Sequence, residues 1–467
     1  MRLALVPLFA LAATLGAQAP ARDALTTHVD SVFSRYSGSS PGCAVGVYQN
    51  GATIFAKGYG IANVEYDIPI TPTTPFIVGS VSKQFTAAAI ALLVEEKRIS
   101  LDDDVRKYVP ELPDYGTRIT IDHLVHHTSG LRDWWELVGM AGLRYDDTYT
   151  VQDVLDMTAR QRGLNFKPGE RYLYSNTGYI LLGVVVQRVT GRTLREFAAE
   201  RFFGPLGMTS SRYQDDHRNP VRGRAYAYSP AADGGYSINV WNNDLVGQGG
   251  VMTTVLDLAK WDENHYTGAV GGKSFLARQL QRGRLNSDSL LPYAFGLTIG
   301  DYRGQPVVEH GGTTGGYRAQ LTRFPAQHTS VAVLCNLSTA VPATLALRVA
   351  DYLLRKELAP AVFVSASGGS NAPGLAGLPR TTLPASDIAR LAGTYYSAEL
   401  DATYTLSAVG AALVLDRPRM RPDSLAVRDA LTFYGSVGTL RFTLGAGRAE
   451  SFVLNAGRVE NVTFARR

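Results

Sequence analysis

The sequence contains little cysteine, no clustered run of basic residues and no apolar segment long enough to cross a membrane. Of its 467 residues only two are cysteine, and the lysines and arginines behind the net charge of +5 are scattered along the chain. Scattered charge gives no electrostatic footprint for nucleic acid, so we expect no nucleic-acid partner. The composition, with 45% hydrophobic and 19% charged residues, is that of a globular protein. At this length at least two domains are expected.

The N-terminal segment has the pattern of a secretory signal peptide. Arg2 precedes an apolar stretch at residues 3–15, and the small residues Ala17 and Ala19 follow. The alternative is an N-terminal membrane anchor, but the apolar stretch is shorter than the roughly 20 residues needed to span a bilayer. We therefore assign residues 1–19 to a signal peptide and expect an exported protein, periplasmic or secreted, with no stable membrane span after cleavage.

The two cysteines lie in strand-like segments, GCAVGVY and SVAVLCN. An oxidising compartment would let Cys43 and Cys335 pair. The geometry of adjacent strands rarely suits a disulfide, however. We therefore expect two buried free thiols and keep the disulfide as the alternative.

The order of predicted elements indicates a mixed α/β layer with a helical region inserted. Asn50 and Gly51 separate two β-rich segments and predict a hairpin. Apolar residues recur at helical spacing over residues 80–100, which predicts a buried helix. Further helices are predicted at residues 121–127, 151–160, 179–190, 193–201, 254–265 and 343–356. Strands are predicted at QPVVEHGG, YRAQLTRFP and TSVAVLCNL, so both chain ends contribute to one layer.

The C-terminal part is predicted to be a separate small barrel. Residues 361–386 are rich in Gly, Ser and Pro and read as a linker. Residues 387–467 then contain about eight short alternating strands, which fit an antiparallel barrel. Such a barrel can hold a small ligand or fill with side chains, and we expect the second. A role of the barrel in assembly or in covering the active site is the weaker interpretation.

Ser80 and Lys83 form the first candidate catalytic pair. They are three residues apart on one helix and therefore share a face. A nucleophilic serine needs a base beside it, and lysine serves if burial or a cationic neighbour lowers its pKa. The bare Ser-x-x-Lys pattern is weak, because a capping serine with a solvated lysine would look the same. Ser82 points about 200° away from Ser80 and is expected to pack.

Tyr174 and Asn176 form the second candidate pair, in a loop just before a helix. The phenol can relay a proton to a leaving group, and the amide can hold a substrate carbonyl or the lysine. The third candidate is EHGGTTGGYR, where we expect His310 to end a strand. The glycines, including Gly312, would allow close approach, and the Thr313 and Ser80 N–H groups would form an oxyanion hole.

Taken together, these motifs resemble the serine β-lactamase and penicillin-binding protein superfamily, in the branch of class C β-lactamases, DD-peptidases, D-aminopeptidases and related esterases. The class A pattern is Ser-x-x-Lys, Ser-Asp-Asn and Lys-Thr-Gly. In this branch the second motif reads Tyr-x-Asn. HHTSGL, GQGGVMTT and YAFGL also look like the family, and the resemblance covers residues 25–358. It implies an α/β (α+β) fold, with an antiparallel sheet flanked by helices and a helical subdomain, over residues 22–360, and the barrel resembles appended lipocalin-like domains.

The resemblance implies roles for individual residues. Ser80 would be the acylated nucleophile, Lys83 the general base or proton shuttle, and Tyr174 its partner, while Asn176 would bind substrate. His310 stands where the family often has lysine, and it could supply a positive field that keeps Lys83 neutral. Gly311 replaces the threonine of Lys-Thr-Gly, which argues against efficient β-lactamase activity.

Two further clusters are candidates for a functional role. His123, His126 and His127 invite a metal site, but no further ligand completes a set, and we predict no metal and no organic cofactor. Trp134, beside Asp133 and Trp135, is predicted to line the substrate cleft, although aromatic residues on a loop are ordinary.

The sequence thus predicts an exported serine hydrolase that forms an acyl-enzyme on Ser80. Its substrates would be amide bonds in D-amino-acid-containing peptides, including peptidoglycan-derived ones, in a DD-peptidase or D-aminopeptidase type of reaction. A carboxylesterase or β-lactamase would use the same nucleophile and remains open. So does a non-catalytic receptor for penicillin or wall ligands. A homo-oligomer is compatible with all of these.

Overall fold

A computed structural model describes residues 18–360 and 382–467. Most of the predicted signal peptide and most of the predicted linker lie outside these residues. The helices in the described part are α1 (Gln18–Phe33), α2 (Lys83–Glu95), α3 (Ile121–Val125), α4 (Trp134–Met140), α5 (Val151–Ala159), α6 (Asn176–Thr190), α7 (Leu194–Ala198), α8 (Val255–Thr267), α9 (Gly272–Gln279), α10 (Pro342–Leu353) and α11 (Ala385–Leu391). A 3-10 turn, Gly79–Ser82, precedes α2, and a π-helical turn, Ala199–Phe203, follows α7.

The strands are mostly short. They are β1 (Cys43–Gln49), β2 (Ala52–Tyr59), β3 (Ile61–Asn63), β4 (Ile68–Pro69), β5 (Phe76–Ile77), β6 (Arg212–Tyr213), β7 (Tyr228–Pro230), β8 (Tyr236–Ile238), β9 (Val251–Thr253), β10 (Thr298–Tyr302), β11 (Gln305–Thr314), β12 (Tyr317–Phe324), β13 (Thr329–Cys335), β14 (Gly393–Ser397), β15 (Ala402–Val409), β16 (Ala412–Asp416), β17 (Asp423–Asp429), β18 (Thr432–Gly435), β19 (Gly438–Leu444), β20 (Ala449–Ala456) and β21 (Val459–Arg466).

Both ends of the first part of the chain meet in one antiparallel sheet. The strand order is β10-β11-β12-β13-β1-β2, so the N-terminal hairpin pairs with the last strand of the later meander. Asn50 (φ 50°) and Gly51 (φ 78°) turn the hairpin in the left-handed region, as an Asn-Gly pair allows. The predicted hairpin and the shared layer are both confirmed.

Helices cover both faces of this sheet. Val45 and Val47 on β1 face the cluster formed with α1 and α10, whereas Ala44 and Tyr48 face the core around α2 and α8. Burial on both faces explains why β1 and β13 are almost continuously apolar. Helices α2 and α6 lie at the centre of the inserted helical region, where 11 of the 13 residues of α2 and 10 of the 15 residues of α6 are buried.

The cysteine prediction was wrong. Cys43 and Cys335 lie directly opposite each other on β1 and β13, with Cα atoms 4.0 Å apart, and form a disulfide. The sequence placed both residues on strands but could not place the two strands side by side in this register. The bond links two segments that are 292 residues apart in sequence.

The C-terminal strands β14 to β21 form a closed antiparallel barrel, as predicted. Its interior is filled by aromatic side chains, including Tyr404, Phe452 and Phe464, whose ring centroids lie 4.3 to 6.3 Å apart. These rings occupy the space that a bound small molecule would need. The barrel thus has a packed core, in agreement with the expectation that side chains fill it.

The barrel packs directly on the helical region through a continuous apolar core. Leu137 and Met140 of α4 and Met157 of α5 belong to the same buried cluster as the barrel interior. At the edge of this contact, the buried Arg132 forms an ion pair with the buried Glu399 at 2.5 Å. The Tyr404 hydroxyl also donates to the Met140 carbonyl. The sequence did not predict this contact or the short helices α4, α9 and α11.

None of the helices in the described ranges combines the length and apolar character needed to cross a bilayer.

Candidate active site

Ser80 and Lys83 meet at the junction between the 3-10 turn and α2. The Lys83 Nζ lies 3.2 Å from Ser80 Oγ, 2.9 Å from Asn176 Oδ1 and 2.6 Å from the Gln248 carbonyl oxygen. The last two atoms are acceptors only, so they take two N–H groups of the amine. In a neutral amine, the lone pair then remains for the Ser80 hydroxyl. The predicted Ser-x-x-Lys pair therefore has the geometry of a nucleophile and its base.

Burial shifts the protonation equilibrium of this lysine. Lys83 is fully buried, and loss of solvation lowers its pKa well below the ordinary lysine value. Asp133 raises the pKa of Lys83, whereas Arg458 lowers it further. A lysine in this environment can be neutral near neutral pH, as a general base requires.

Tyr174 completes the group around the Ser80 hydroxyl. It precedes α6, whose N-cap is Ser175, and its ring centroid lies 4.7 Å from Lys83 Nζ. Burial raises the pKa of Tyr174 well above its ordinary value, while a side-chain hydrogen bond with Ser80 acts in the opposite direction. Tyr174 is therefore a neutral phenol that can donate a proton. Asn176 is the first residue of α6, so the helix itself aims its amide at Lys83.

Strand β11 lies against the turn that carries Ser80. A Cβ built on Gly79 would lie 2.7 Å from the Thr313 nitrogen, and one built on Gly312 would lie 3.1 Å from the Ser80 nitrogen. Only glycine fits such a close approach of two backbones. The Ser80 and Thr313 nitrogens are thus neighbours, as an oxyanion hole requires.

Two predictions about His310 were wrong. His310 does not end a strand, since β11 continues to Thr314 and remains paired with β12. Nor does it supply a positive field, because burial lowers its pKa to about 4, with Lys83 acting in the same direction. Its Nδ1–H donates to the Gly311 carbonyl at 2.6 Å, and its Nε2 accepts from the Tyr293 hydroxyl at 2.9 Å. His310 is therefore a neutral part of the site wall.

The three clustered histidines have separate partners. His123 Nδ1 accepts from the Thr120 N–H in a capping box, and His126 pairs with Asp122. His127 accepts from the Ser175 N–H at 3.1 Å, and its ring packs against that of Tyr174, with centroids 4.2 Å apart and a tilt of 34°. His127 thus supports the loop of Tyr174 rather than completing a metal site with its two neighbours.

Arg458 is a site residue that sequence reasoning missed. It lies between β20 and β21 of the barrel, and its Nη2 is 3.2 Å from Oδ1 of the fully buried Asp133. Its guanidinium carbon lies 5.7 Å from the Tyr174 ring centroid. No local pattern marks this residue, because only the docking of the barrel brings it to the site. Gln248 and Tyr293, in contrast, belong to GQGGVMTT and YAFGL, two stretches whose resemblance to the family could have pointed to these residues.

The site opens into a cleft of about 1120 Å³. Its walls include Ser80, Tyr174, Asn176, His310, Gly312 and Thr313, together with Trp135, Tyr145, Trp241, Met420 and Arg458. Trp134 also borders the cleft but is only 2% exposed, because most of its ring packs into the core shared with the barrel. The half-buried Trp135, 4.6 Å from Tyr145 between ring centroids, presents more surface to the cleft. The catalytic and binding roles of these residues remain predictions.

Comparisons with known proteins identify the family of this chain. The family model described as Beta-lactamase matches residues 22–354. A D-aminopeptidase from Gluconobacter oxydans (strain 621H) is 30% identical over 317 residues, which cover 68% of this chain and 59% of the relative. Penicillin-binding protein 4* from Bacillus subtilis (strain 168) is 29% identical over 62% of this chain and 66% of its own length. The matched part thus spans about three fifths to two thirds of these relatives.

Solved structures with the same fold include members that extend over the barrel. The octameric penicillin-binding protein homologue from Pyrococcus abyssi has a TM-score of 0.63 and 24% identity, and covers 95% of this chain and 99% of its own. The D-amino acid amidase from Ochrobactrum anthropi SV3, complexed with L-phenylalanine amide, has a TM-score of 0.59 and 20% identity. It covers 71% of this chain and 99% of its own. At these identities the likeness concerns the fold alone.

Proposed function

Because this chain belongs to the Beta-lactamase family, we propose that it is a serine hydrolase that acts through an acyl-enzyme on Ser80. The observation that carries the proposal is the environment of the buried Lys83 amine. Two acceptors bind its N–H groups, and Ser80 Oγ lies 3.2 Å away. This arrangement supports a neutral amine as the base that activates the serine.

The proposed reaction has two steps, acylation of Ser80 and hydrolysis of the acyl-enzyme. Ser80 Oγ attacks the substrate carbonyl carbon and its proton passes to Lys83, while the N–H groups of Ser80 and Thr313 stabilise the oxyanion. The carbon–nitrogen bond then breaks, and the leaving amine takes a proton from Lys83 through Tyr174. Water attacks the resulting ester, and Ser80 recovers its proton as the acid is released. The residues named here supply the proton transfers.

The proposed substrates are amide bonds in peptides that contain D-amino acids. The similarity to a D-aminopeptidase and to a penicillin-binding protein supports this class. The charge of the cleft bears on whether the substrate amine is free or blocked. Among the described residues that line it, Asp146 is the one carboxylate and is paired with Arg144 at its rim, whereas Arg318 is a cation that has no carboxylate partner among them. We therefore expect acyl donors with a blocked amine to be better substrates than those with a free ammonium group.

We also propose export from the cytoplasm. The charged, apolar and small-residue pattern of residues 1–19 supports a signal peptide. The disulfide between Cys43 and Cys335 supports an oxidising compartment, since such bonds persist mainly outside the cytosol. A homo-oligomer remains a prediction, for which an octameric structural relative is the one supporting observation.

The nucleophile can be tested by intact-mass spectrometry of the purified protein. Benzylpenicillin should add its whole mass, since ring opening loses no atoms, and a fluorophosphonate should add its phosphonyl group with loss of fluoride. Ser82→Ala is a matched control, because the buried Ser82 hydroxyl accepts from the Val251 N–H at 2.9 Å. Labelling should survive in S82A and disappear in S80A. Undiminished phosphonylation of S80A would reject Ser80 as the nucleophile.

The substrate class needs a second comparison. The protein should hydrolyse N-acetyl-D-alanyl p-nitroanilide faster than D-alanyl p-nitroanilide, with a p-nitrophenyl ester as a reactive reference. Hydrolysis of the ester alone would identify a carboxylesterase. Rapid decay of the penicillin adduct would identify a β-lactamase. Adducts with no turnover of any substrate would indicate a penicillin-binding receptor.

A further inference from the structure

The hairpin between β20 and β21 brings one cation of the barrel into the candidate active site. The Arg458 Nη2 lies 3.2 Å from Asp133 Oδ1, and its Nε lies 3.4 Å from Glu136 Oε1. Its guanidinium also lies 5.7 Å from the Tyr174 ring centroid. Asp133 is fully buried, so a carboxylate there requires a partner of opposite charge. Arg458 is this partner.

A continuous set of hydrogen bonds connects this ion pair to the lysine. The Asp133 carboxylate accepts from the Asn176 N–H at 2.6 Å and from the Trp135 N–H at 3.1 Å. The Asn176 Oδ1 then accepts from Lys83 Nζ at 2.9 Å. Asp133 thus holds the first residues of both α4 and α6, and through Asn176 it sets the position of the lysine amine.

We propose that Arg458 is a positioning residue of this active site, which neutralises Asp133 so that Lys83 is held in place as an uncharged base. The inference rests on the proposed function and assigns part of it to the C-terminal barrel. The β-lactamase-like part is then incomplete without the barrel, because the charge that balances Asp133 comes from the other end of the chain.

Among the described titratable groups around Lys83, Arg458 is the one that offsets the charge of Asp133. Burial lowers the pKa of His127 and of His310, so both are neutral near neutral pH. Burial raises the pKa of the surrounding phenols, which are Tyr174, Tyr179 and Tyr293. Burial also raises the pKa of Glu136, while its ion pair with Arg458 acts in the opposite direction. Asp133 and Arg458 are therefore the two groups whose charges act most directly on Lys83, and they act in opposite directions.

The hairpin is held by contacts other than the guanidinium. The Arg458 carbonyl accepts from Asn165 Nδ2 at 2.9 Å, and the Glu460 N–H donates to Asn165 Oδ1 at 2.7 Å. Arg132 Nε donates to the Glu460 carbonyl at 2.9 Å. A neutral side chain at position 458 should therefore leave the barrel docked, and the charge can be tested separately from the fold.

The test is the pH profile of kcat/KM for a p-nitrophenyl ester in the full-length chain. Arg458→Gln leaves Asp133 unbalanced, which raises the pKa of Lys83, so the acidic limb should move up by about one pH unit. The rate on that limb should fall about tenfold. Asp133→Asn leaves Arg458 unbalanced, which lowers the pKa of Lys83, so the acidic limb of this variant should move to lower pH. The double variant D133N/R458Q should return towards the wild-type limb, and R458K should stay close to it.

Arg441→Ala is the control, since Arg441 is exposed on β19 of the same barrel. Its profile should match that of the wild type. Thermal melting identifies any variant that does not fold. If one of D133N and R458Q does not fold, the other still tests the inference, because each is expected to shift the acidic limb in its own direction. The inference would be overturned if the acidic limb lay at the same pH in the wild type, R458Q and D133N. It would also be overturned if the two variants shifted the limb in the same direction. The proposed function fails separately, if S80A hydrolyses the ester as fast as the wild type.

Discussion

At the scale of single residues, the candidate site depends on burying groups that water normally solvates. Lys83 is the clearest case, because a fully buried amine has three polar neighbours and a lowered pKa. His310 and Tyr174 are likewise held in their neutral forms by burial. Sequence patterns identified these residues, but their protonation states follow from how the surrounding chain excludes water.

Replacing Lys83 with Met should remove the base and change how stability depends on pH. We expect kcat/KM to fall at least about 100-fold, the lower end of a general-base contribution. The unfolded wild type binds a proton on Lys83 that the folded protein lacks, so folded stability rises with pH between the lowered pKa and the ordinary one. The difference in free energy of unfolding, wild type minus K83M, should grow by about 1.4 kcal/mol per pH unit in that window.

Urea unfolding at several pH values measures this difference. Lys97→Met is the control, since Lys97 is exposed just after α2. A pH-independent difference for K83M would show that Lys83 is protonated in the folded protein.

Gly312→Ala should disturb the oxyanion hole without altering any functional side chain. The added methyl group would meet the Val78 carbonyl and lie 3.1 Å from the Ser80 nitrogen, and neither backbone can move freely. We expect kcat/KM to fall at least tenfold and stability to fall by about 1–3 kcal/mol, as for overpacking. Gly300→Ala on β10 is the matched control, since its methyl group would meet Val307 Cγ1 at an ordinary 3.7 Å. Equal effects in the two variants would contradict the assignment.

At the scale of elements, the pairing of β1 with β13 closes the chain on itself. The disulfide between Cys43 and Cys335 lies on this pair and connects residues 292 apart. Strand β11 then reaches the turn of Ser80 from the other side of β12 and β13. The sheet therefore positions half of the site, while α2 and α6 position the other half.

Removing the disulfide should destabilise the protein without changing the site. The bond restricts the unfolded chain over a long loop, and C43S/C335S should lower the free energy of unfolding by about 2–4 kcal/mol. Calorimetry with and without a reducing agent measures the effect, and reduction should lower the melting temperature of the wild type only. A wild-type melting temperature insensitive to complete reduction would refute this prediction.

At the scale of the whole molecule, the barrel and the helical region share one apolar core and one buried ion pair. Arg132 and Glu399 are both buried, and Arg132 also donates to carbonyls of β21. The barrel carries Arg458 to the site through the same contact. The two parts should therefore unfold together, in a single thermal transition.

Glu399→Ala tests this coupling. The change leaves Arg132 as a buried charge without its partner, which costs about 3–5 kcal/mol. We expect calorimetry to show a single unfolding transition at a lower melting temperature than in the wild type. Glu450→Ala, at an exposed position on β20, should change stability by less than about 0.5 kcal/mol. Two separate transitions in the wild type would contradict the shared core.

Much of the site could be predicted because its signals are local. Ser80 and Lys83 share a helical turn, Tyr174 and Asn176 flank an N-cap, and the glycines of β11 mark a close approach of backbones. The wrong predictions concerned the surroundings of a residue in the folded protein. The charge of His310 and the pairing of the cysteines depend on burial and strand register, neither of which is visible in a short stretch of sequence.

The sequence by itself determined the order of elements, the candidate nucleophile and base, and the barrel, because helical and strand periodicity and motif spacing are properties of neighbouring residues. Only the tertiary structure decided which cation faces Lys83, whether the cysteines pair and where the barrel docks. These depend on contacts between residues that are hundreds of positions apart, such as Asp133 with Arg458. Electrostatic interactions and burial act through space, so their outcome is set when the fold brings those residues together.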